Sequence, residues 1–533
     1  MDYLAAAERV PWPPAPAMPP VVGASGYGAP GYQTLPFSLP PPPPPPPGYP
    51  YPLMPPQGPI VFHLDPAFIV ETDGRRSRSL VQFLKDEGAV PSPQDERKRE
   101  RVIRELKKIV MQWAKAVAHE ERVPQRQTTA MVLTYGSYTL GAHGPDSDID
   151  AICAGPCIAT LQYHFFVVLR QILEARPEVS EVQTVGSAKV PLMRFRFNGI
   201  SVDFTYAQLP VIDALKAVNT FSPELLQKID ARSWRSLSGV RVNEQIVQLV
   251  PDGEKFQVLL RCVKLWARKR GLHCHHLGFF AGIHLAILAA FICQRYPNAC
   301  VNGLFTVFFE IFAHWPWQSP VSLHDQLTDC PPTEGRLMPI LMPCTPPEYC
   351  MSNVTMSTFK KIREELLRAY ALTKDPLRHD SEWTWIFAPF PYSAKYQQFL
   401  RIALCASTSE ELLDWVGWVK SRFRNLIAKL ENIGIECDPC PSEEVDHTVV
   451  EPNIVFYWGL ITEKTVYVDP ISLKEDFMND VINEVYGNVK CTHSDLVMSI
   501  VGLSQLPKSM HGYSVSSQFL PHFMLGLPGY NKS

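Results

Sequence analysis

Asp148, Asp150 and Asp203 are the residues of this 533-residue chain whose types and spacing most directly suggest chemistry. In Asp148-Ile149-Asp150-Ala151-Ile152-Cys153 the alternation of acidic and apolar residues reads as the start of a strand. Successive strand side chains alternate faces, so the two carboxylates point the same way and Ile149 points into a core. Carboxylates held side by side repel, and the arrangement is stable chiefly when a cation sits between them. Hard oxygen ligands of this kind suit Mg2+ or Mn2+. A third acid stands in Gly199-Ile200-Ser201-Val202-Asp203-Phe204-Thr205-Tyr206, where alternation sets Asp203 opposite to Val202 and Phe204. Aspartate is disfavoured in strands, so it needs a reason to be there. A strand adjacent to the first would bring Asp203 beside the pair, and the three could hold two metals about 3.5–4 Å apart. The pair by itself also fits an ordinary solvated surface; its position after a strand and a turn is what separates the two readings.

That turn is Gly136-Ser137, which follows the β-prone run Ala130 to Tyr135. Glycine permits close backbone approach, and backbone N–H groups with a hydroxyl suit phosphate oxygens, although the dipeptide alone describes any turn. Asp146 reads as a turn residue at the entry to the strand. Lys264 and Arg268 are four apart in the helical pattern Lys255 to Arg270 and share one face, either solvated or facing an anion. His273-Cys274-His275-His276 and Cys437-Asp438-Pro439-Cys440 each lack a second half at zinc-ligand spacing. Cys153, Cys157, Trp266 and His284 read as core or turn residues.

Elements must carry these groups. Ser77 to Glu87 and Glu96 to Ala118 read as helices, the second with Val102, Leu106, Ile109, Val110 and Trp113 at three- and four-residue steps. Leu277 to Cys293 is almost wholly apolar but falls short of the ~18 residues that flag a membrane span. It reads as a buried core helix, and the chain as soluble. Ser409 to Leu430 reads as a helix, Asn453 to Leu460 and Thr465 to Val468 as strands. Residues 1–60 are Pro-, Gly- and Tyr-rich with an unbroken Pro40 to Pro47 run. Such a run favours polyproline II without a packed core: a disordered tail or a docking ligand for aromatic-lined grooves. The net charge of −3 provides no molecule-wide basic field, so any nucleic-acid contact must come from local patches. The 13 cysteines form no dense paired framework, which fits reduced thiols.

Taken together, TYGSYTLGAHGPDSDIDAICAGP, RSLSGVRVNEQIVQLVP, LLRCVKLWARKRG, LMPCTPPEYC and LLDWVGWVKSRFRNLIAKLE resemble the signature blocks of the DNA polymerase β-like nucleotidyltransferases and, more narrowly, of the eukaryotic poly(A) polymerases. The resemblance runs from about Pro59 to Val485. It implies a mixed-sheet catalytic palm (95–211), a helical central domain (59–94 with 212–385) and an RRM-like α+β domain (386–500), flanked by a Pro-rich tail (1–58) and a C-terminal tail (501–533). An aromatic-bearing sheet in the RRM-like domain could stack RNA bases. The implied reaction is template-independent: the 3′-hydroxyl of an RNA attacks the α-phosphorus of ATP, with two Mg2+ or Mn2+ ions held by Asp148, Asp150 and Asp203. The implied ATP contacts are Tyr135, Gly136, Ser137, Ser238, Lys264, Arg268, His273, His275, Gly282 and Ile283.

Several positions depart from the family pattern. His273 stands where tyrosine is usual, His275 and Ser238 where asparagine is usual, Arg268 where lysine is frequent and Ile283 where valine is usual. These touch base and phosphate recognition rather than the metal ligands. The competing readings are an enzyme with altered base preference (a uridylyltransferase, or a CCA-adding enzyme), and a catalytically dead RNA-binding adaptor recruiting partners through its Pro-rich tail. Expected partners are an RNA 3′ end, cleavage and polyadenylation factors, and Pro-rich-ligand proteins, with no membrane and a monomeric state. The family acts largely in the nucleus; the lack of a basic extension before Ser533 leaves the cytoplasm open as well.

Overall fold

The computed structural model describes residues 66–511, apart from 125–128, 187, 189, 210–228, 325–332, 345–346, 352, 376–382, 462–467 and 483–494. The Pro-rich segment, most of the strand expected at Thr465 to Val468 and the chain beyond His511 therefore lie outside the described residues. Residues 1–75 and 76–533 form two compact units, and the described part of the first is the opening of helix α1 (Pro66–Asp86).

Helix α2 (Pro93–Glu120) starts three residues earlier than its apolar periodicity predicts, because a capping box starts it. The Ser92 hydroxyl accepts from the Asp95 N–H while the Asp95 carboxylate accepts from the Ser92 N–H, and Pro93 opens the helix. Its buried stripe of Val102, Leu106, Ile109, Val110, Trp113 and Val117 packs in one core with a five-stranded sheet. The strands are β1 (Met131–Tyr135), β2 (Ile149–Pro156), β3 (Val179–Val185), β4 (Leu192–Phe197) and β5 (Ile200–Leu209), in the order β1-β2-β5-β4-β3. Only β2 and β5 pair in parallel. Between β1 and β2 lies the short helix α3 (Gly136–Thr139), and between β2 and β3 a helical stretch ending in α4 (Arg170–Glu174). Ile149, Ala151, Val202, Phe204 and Phe195 are fully buried under α2. The opposite face is closed by Ile152, Ala154 and Ala207 against Leu237 and Val240.

The central helices are α5 (Ala231–Ser236), α6 (Ser238–Leu249), α7 (Gly253–Lys269), α8 (Gly282–Arg295), α9 (Val301–His314) and α10 (Met356–Thr373). The apolar run 277–293 is not one helix. His275–Leu277 form a 3-10 turn, Gly278 is left-handed at φ +82°, and the helix starts only at Gly282. A Cβ at Gly278 would lie 2.7 Å from the Asn353 carbonyl oxygen, so glycine is required both for the backbone angle and for the close approach. The run is buried protein core, and among the described residues no helix is long and apolar enough to cross a membrane.

After the short turns α11 (Trp383–Ile386) and α12 (Tyr392–Lys395), the last domain runs β6 (Gln398–Cys405), α13 (Ser409–Lys420), α14 (Phe423–Asn432), β7 (Glu436–Pro439), β8 (Asn453–Ile461), α15 (Pro470–Ile482) and β9 (Asp495–Gly502). The sheet order β7-β8-β6-β9, with β6 and β8 in the centre, is that of an RRM-like fold. The single helix expected over 409–430 is two, broken at Ser421 and Arg422. Residues 501–511, expected in a tail, instead complete β9 and pack on the sheet. The face expected to stack bases is also different. Phe399, Ala403, Val455 and Tyr457 are buried beneath Tyr392, Tyr396, Leu506 and Met510. A Cβ on Gly459 would fall 2.3 Å from the Tyr396 ring, so that ring lies directly on the sheet. The aromatic alternation was legible; that the chain's own flanking segments cover it was not.

Candidate active site

The parallel β2–β5 register places Asp150 opposite Asp203. Asp148 sits just before β2, in the loop that leads into it. That loop is held from outside by Arg99 of α2, which is 1% exposed and whose Nη2 donates to the carbonyls of Gly144 (3.3 Å) and Pro145 (2.6 Å). Sequence reading missed Arg99, because a buried arginine inside a basic run looks like part of a solvated helix face.

Gly136 begins α3 at φ +68°. A Cβ there would lie 1.9 Å from Asp150 Oδ2, so the absence of a side chain is what lets the carboxylate sit against the Gly136-Ser137 turn. Asn243 of α6 donates from Nδ2 to the Gly136 carbonyl at 3.0 Å and fixes the turn. Tyr135 packs its ring against Gly239, where a Cβ would come within 2.8 Å of it. Lys264 reaches over from α7 and donates to the Ala142 carbonyl at 3.0 Å.

These groups border a cavity of about 340 Å³ lined by Gly136, Ser137, Leu140, Asp148, Asp150, Asn243, Leu260, Lys264, His273, Gly282 and Ile283. Eight of these were singled out from the sequence. Leu140, Asn243 and Leu260 were not, being ordinary helix and turn residues whose role comes only from packing. Of the other expected residues, Ser238 is engaged with the Arg235 carbonyl at 2.7 Å, and Arg268 lies one turn beyond Lys264. His275 stands behind the cavity wall. Asn353 Nδ2 reaches both the His275 carbonyl (3.3 Å) and its Nε2 (3.2 Å). A carbonyl can only accept, so the amide nitrogen is the donor to both, and the ring proton of neutral His275 belongs on Nδ1. His284, read as a core residue, caps α8. Its Nδ1 accepts from the Ala281 N–H at 3.0 Å and its Nε2 lies 3.0 Å from the Cys350 carbonyl, which holds Gly282 and Ile283 at the cavity.

Electrostatics set this cleft apart. Burial, then the neighbouring Asp148 and Asp203, push the Asp150 carboxyl up to about 7. Asp148 is raised by burial and by Asp203. Burial, with Arg268 and Arg261 beside it, brings Lys264 down to about 8. Burial, Lys264 and Arg268 bring His273 down to about 4. Burial and mutual crowding thus work against the charged forms of the acids and bases that line one cavity.

Hard carboxylate oxygens crowded until one resists ionising are the donor set that a divalent cation satisfies. As they stand, no three His, Cys, Asp or Glu side chains among the described residues are gathered tightly enough to hold an ion. The third carboxylate is engaged elsewhere: Arg194 of β4 donates from Nε to Asp203 Oδ1 and from Nη2 to Oδ2, both at 2.7 Å. Sequence reading missed Arg194, yet a signal was present. Asn198-Gly199, at φ +49° and +77°, is a two-residue hairpin turn between Phe197 and Ile200. Counting back along that hairpin sets Arg194 opposite Asp203.

A mixed sheet with carboxylates on adjacent strands, a glycine turn against one of them and a lysine facing both defines a nucleotidyltransferase. Family comparison narrows the class. The poly(A) polymerase nucleotidyltransferase domain matches residues 68–250, the poly(A) polymerase central domain 255–389, and the poly(A) polymerase predicted RNA binding domain 391–437. The chain belongs to the poly(A) polymerase family. It is 48% identical over 443 residues to nuclear poly(A) polymerase 3 of Arabidopsis thaliana, covering 82% of this chain and 86% of that protein. It is 35% identical to nuclear poly(A) polymerase 2 of Arabidopsis thaliana over 73% of this chain and 51% of that protein. For poly(A) polymerase of Dictyostelium discoideum the figures are 34%, 68% and 46%. The chain thus spans about half the length of these last two relatives.

Proposed function

We propose that this protein extends RNA 3′ ends with AMP drawn from ATP, without a template. The single observation that carries this reading is the β2–β5 register, which sets Asp150 opposite Asp203, with Asp148 and Asp150 lining the same cavity as Lys264. In this reading Asp148, Asp150 and Asp203 would hold two Mg2+ or Mn2+ ions. Such ions, when bound, lower the pKa of the attacking hydroxyl and neutralise the charge on the departing pyrophosphate. Gly136 and Ser137 present backbone N–H and hydroxyl donors to phosphate oxygens. Lys264 adds positive charge where the triphosphate enters, with Arg268 one turn behind it, and His273 faces the same space. Gly282, Ile283 and Leu260 provide an apolar wall for the base, His275 stands behind it, and Asn243 and Tyr135 support the turn. The domain limits read from the sequence serve as the working division, with the last carried through β9 and the segment packed on the sheet: catalytic 95–211, central 59–94 with 212–385, RRM-like 386–511. A nuclear site of action, supported by the names of the Arabidopsis relatives, completes the proposal, together with a monomeric state and cleavage and polyadenylation factors as partners.

The test is primer extension on oligo(A) by the full chain with each of the four nucleotides, in Mg2+ and in Mn2+, beside Asp203→Ala. The expected result is strong preference for ATP and a loss on the order of 10³ in kcat for the variant, corresponding to several kcal/mol of charge stabilisation. Equal use of UTP would refute the base assignment, and unchanged activity of Asp203→Ala would refute the ligand assignment.

A further inference from the structure

We propose that Arg194 is a built-in counter-cation for Asp203, one that a divalent ion must displace before the third carboxylate can join Asp148 and Asp150. The inference rests on the reading of these three aspartates as metal ligands.

Arg194 and Asp203 are register partners in the β4–β5 hairpin, so their side chains emerge side by side on the same face. The guanidinium takes both carboxylate oxygens in a two-pronged arrangement, at 2.7 Å each. Such a fork is stronger and more directional than a single contact. It also consumes the oxygens an ion would need. Among the described residues, no arginine forks onto Asp148 or Asp150 in this way.

The two partners differ in exposure: Asp203 is 16% exposed, Arg194 53%. The guanidinium can therefore swing into solvent while Asp203 stays in place, so the exchange costs no repacking of the sheet. Arg196, two residues along on the same face of β4, bonds Glu181 instead and leaves Asp203 alone. The pairing is thus specific to the hairpin register and is not a general feature of a basic strand.

Two consequences follow. The ion that depends on Asp203 binds more weakly than the one that needs only Asp148 and Asp150, because it competes with an internal cation. The resting protein is also spared part of the repulsion of three carboxylates, since one is already neutralised.

The experiment is a titration of the full chain with Mn2+ in the absence of nucleotide, with free Mn2+ read by electron paramagnetic resonance. Arg194→Met should tighten the weaker site about threefold to fivefold, the scale of a largely exposed ion pair. Arg194→Lys, which can neutralise but not fork, should fall between it and wild type. Arg196→Met deletes the same charge from the same strand without touching Asp203 and should leave the affinity within about twofold. Adding Asp203→Asn to Arg194→Met should abolish the gain. An equal tightening by Arg196→Met would reduce the effect to a general field and overturn the proposal. So would unchanged or weaker binding by Arg194→Met with a wild-type melting curve. Should Arg194→Met melt early, Arg194→Lys decides: affinity equal to wild type sinks the idea. If wild type binds no Mn2+ that Asp148→Asn and Asp150→Asn remove, the metal-ligand reading itself fails, which is a separate result.

Discussion

Asp150 bears the sharpest conflict in the molecule. Its carboxyl is raised from 3.8 to about 7, so the fold favours the neutral acid. Ionising it costs the folded state nothing below about pH 4, progressively more as pH rises, and a constant amount above about pH 7. With metal chelated, Asp150→Asn should therefore stabilise the protein at pH 8 by up to about 4 kcal/mol, and by almost nothing at pH 4. Urea unfolding in EDTA at the two values checks this; a larger gain at the acid end would contradict it. With Mn2+ added the order should reverse at pH 8, because wild type gains ligand-linked stability that the variant cannot. The neighbouring residues show how far reading by type extends. Lys264 and His273 were named from helix spacing and resemblance, and both line the cavity. Arg99 was passed over because an arginine in a basic helix carries no mark of its partner, and Arg194 because its partner shows only on counting back along the Asn198-Gly199 hairpin.

At the scale of elements, the junction between the central helices and the RRM-like sheet is built on buried charge. Lys361 of α10 donates to Asp438 Oδ1 of β7 at 2.7 Å and to the Tyr392 hydroxyl at 2.8 Å, and the Tyr396 hydroxyl donates to Asp438 Oδ2 at 2.6 Å. The side chains of Lys361 and Asp438 are 3% and 5% exposed. Removing one partner strands the other in a dry site, so Asp438→Ala should cost about 3–5 kcal/mol of stability. Nucleotide affinity measured below the melting point should be unchanged, since the group lies outside the cavity lining; a parallel loss of ATP binding would show that the junction acts on the cleft. The same Tyr396 covers Gly459, so this network and the covered sheet face belong to one device. The strands β2 and β5 and the α2 stripe were legible because period 2 and period 3.6 are local. The breaks at Gly278 and at Ser421-Arg422 were not, because neighbouring segments impose them.

For the molecule as a whole, a net charge of −3 limits how RNA is held. With the sheet face covered and no general basic field, RNA binding should depend on few phosphate contacts. Its logarithmic salt slope should stay smaller in magnitude than about 4, measured by fluorescence anisotropy of a labelled oligo(A) between low and physiological salt. A slope near 8 would point to an extended basic track instead. The sequence by itself showed carboxylates alternating with apolar residues, a glycine turn before them, and helical and strand periodicities; the palm, helical centre and RRM-like sheet were what the resemblance of its motif blocks implied. The alternation, the turn and the periodicities are local, and local rules of alternation and spacing are enough to read them. Only the tertiary structure decided that Asp203 faces Asp150 across a parallel pair, that His275 is left out of the cavity lining, and that Tyr396 closes the sheet. Each of these depends on residues distant in sequence or on adjacent strands meeting in a definite register, and contact across space is not written in the type of any single residue.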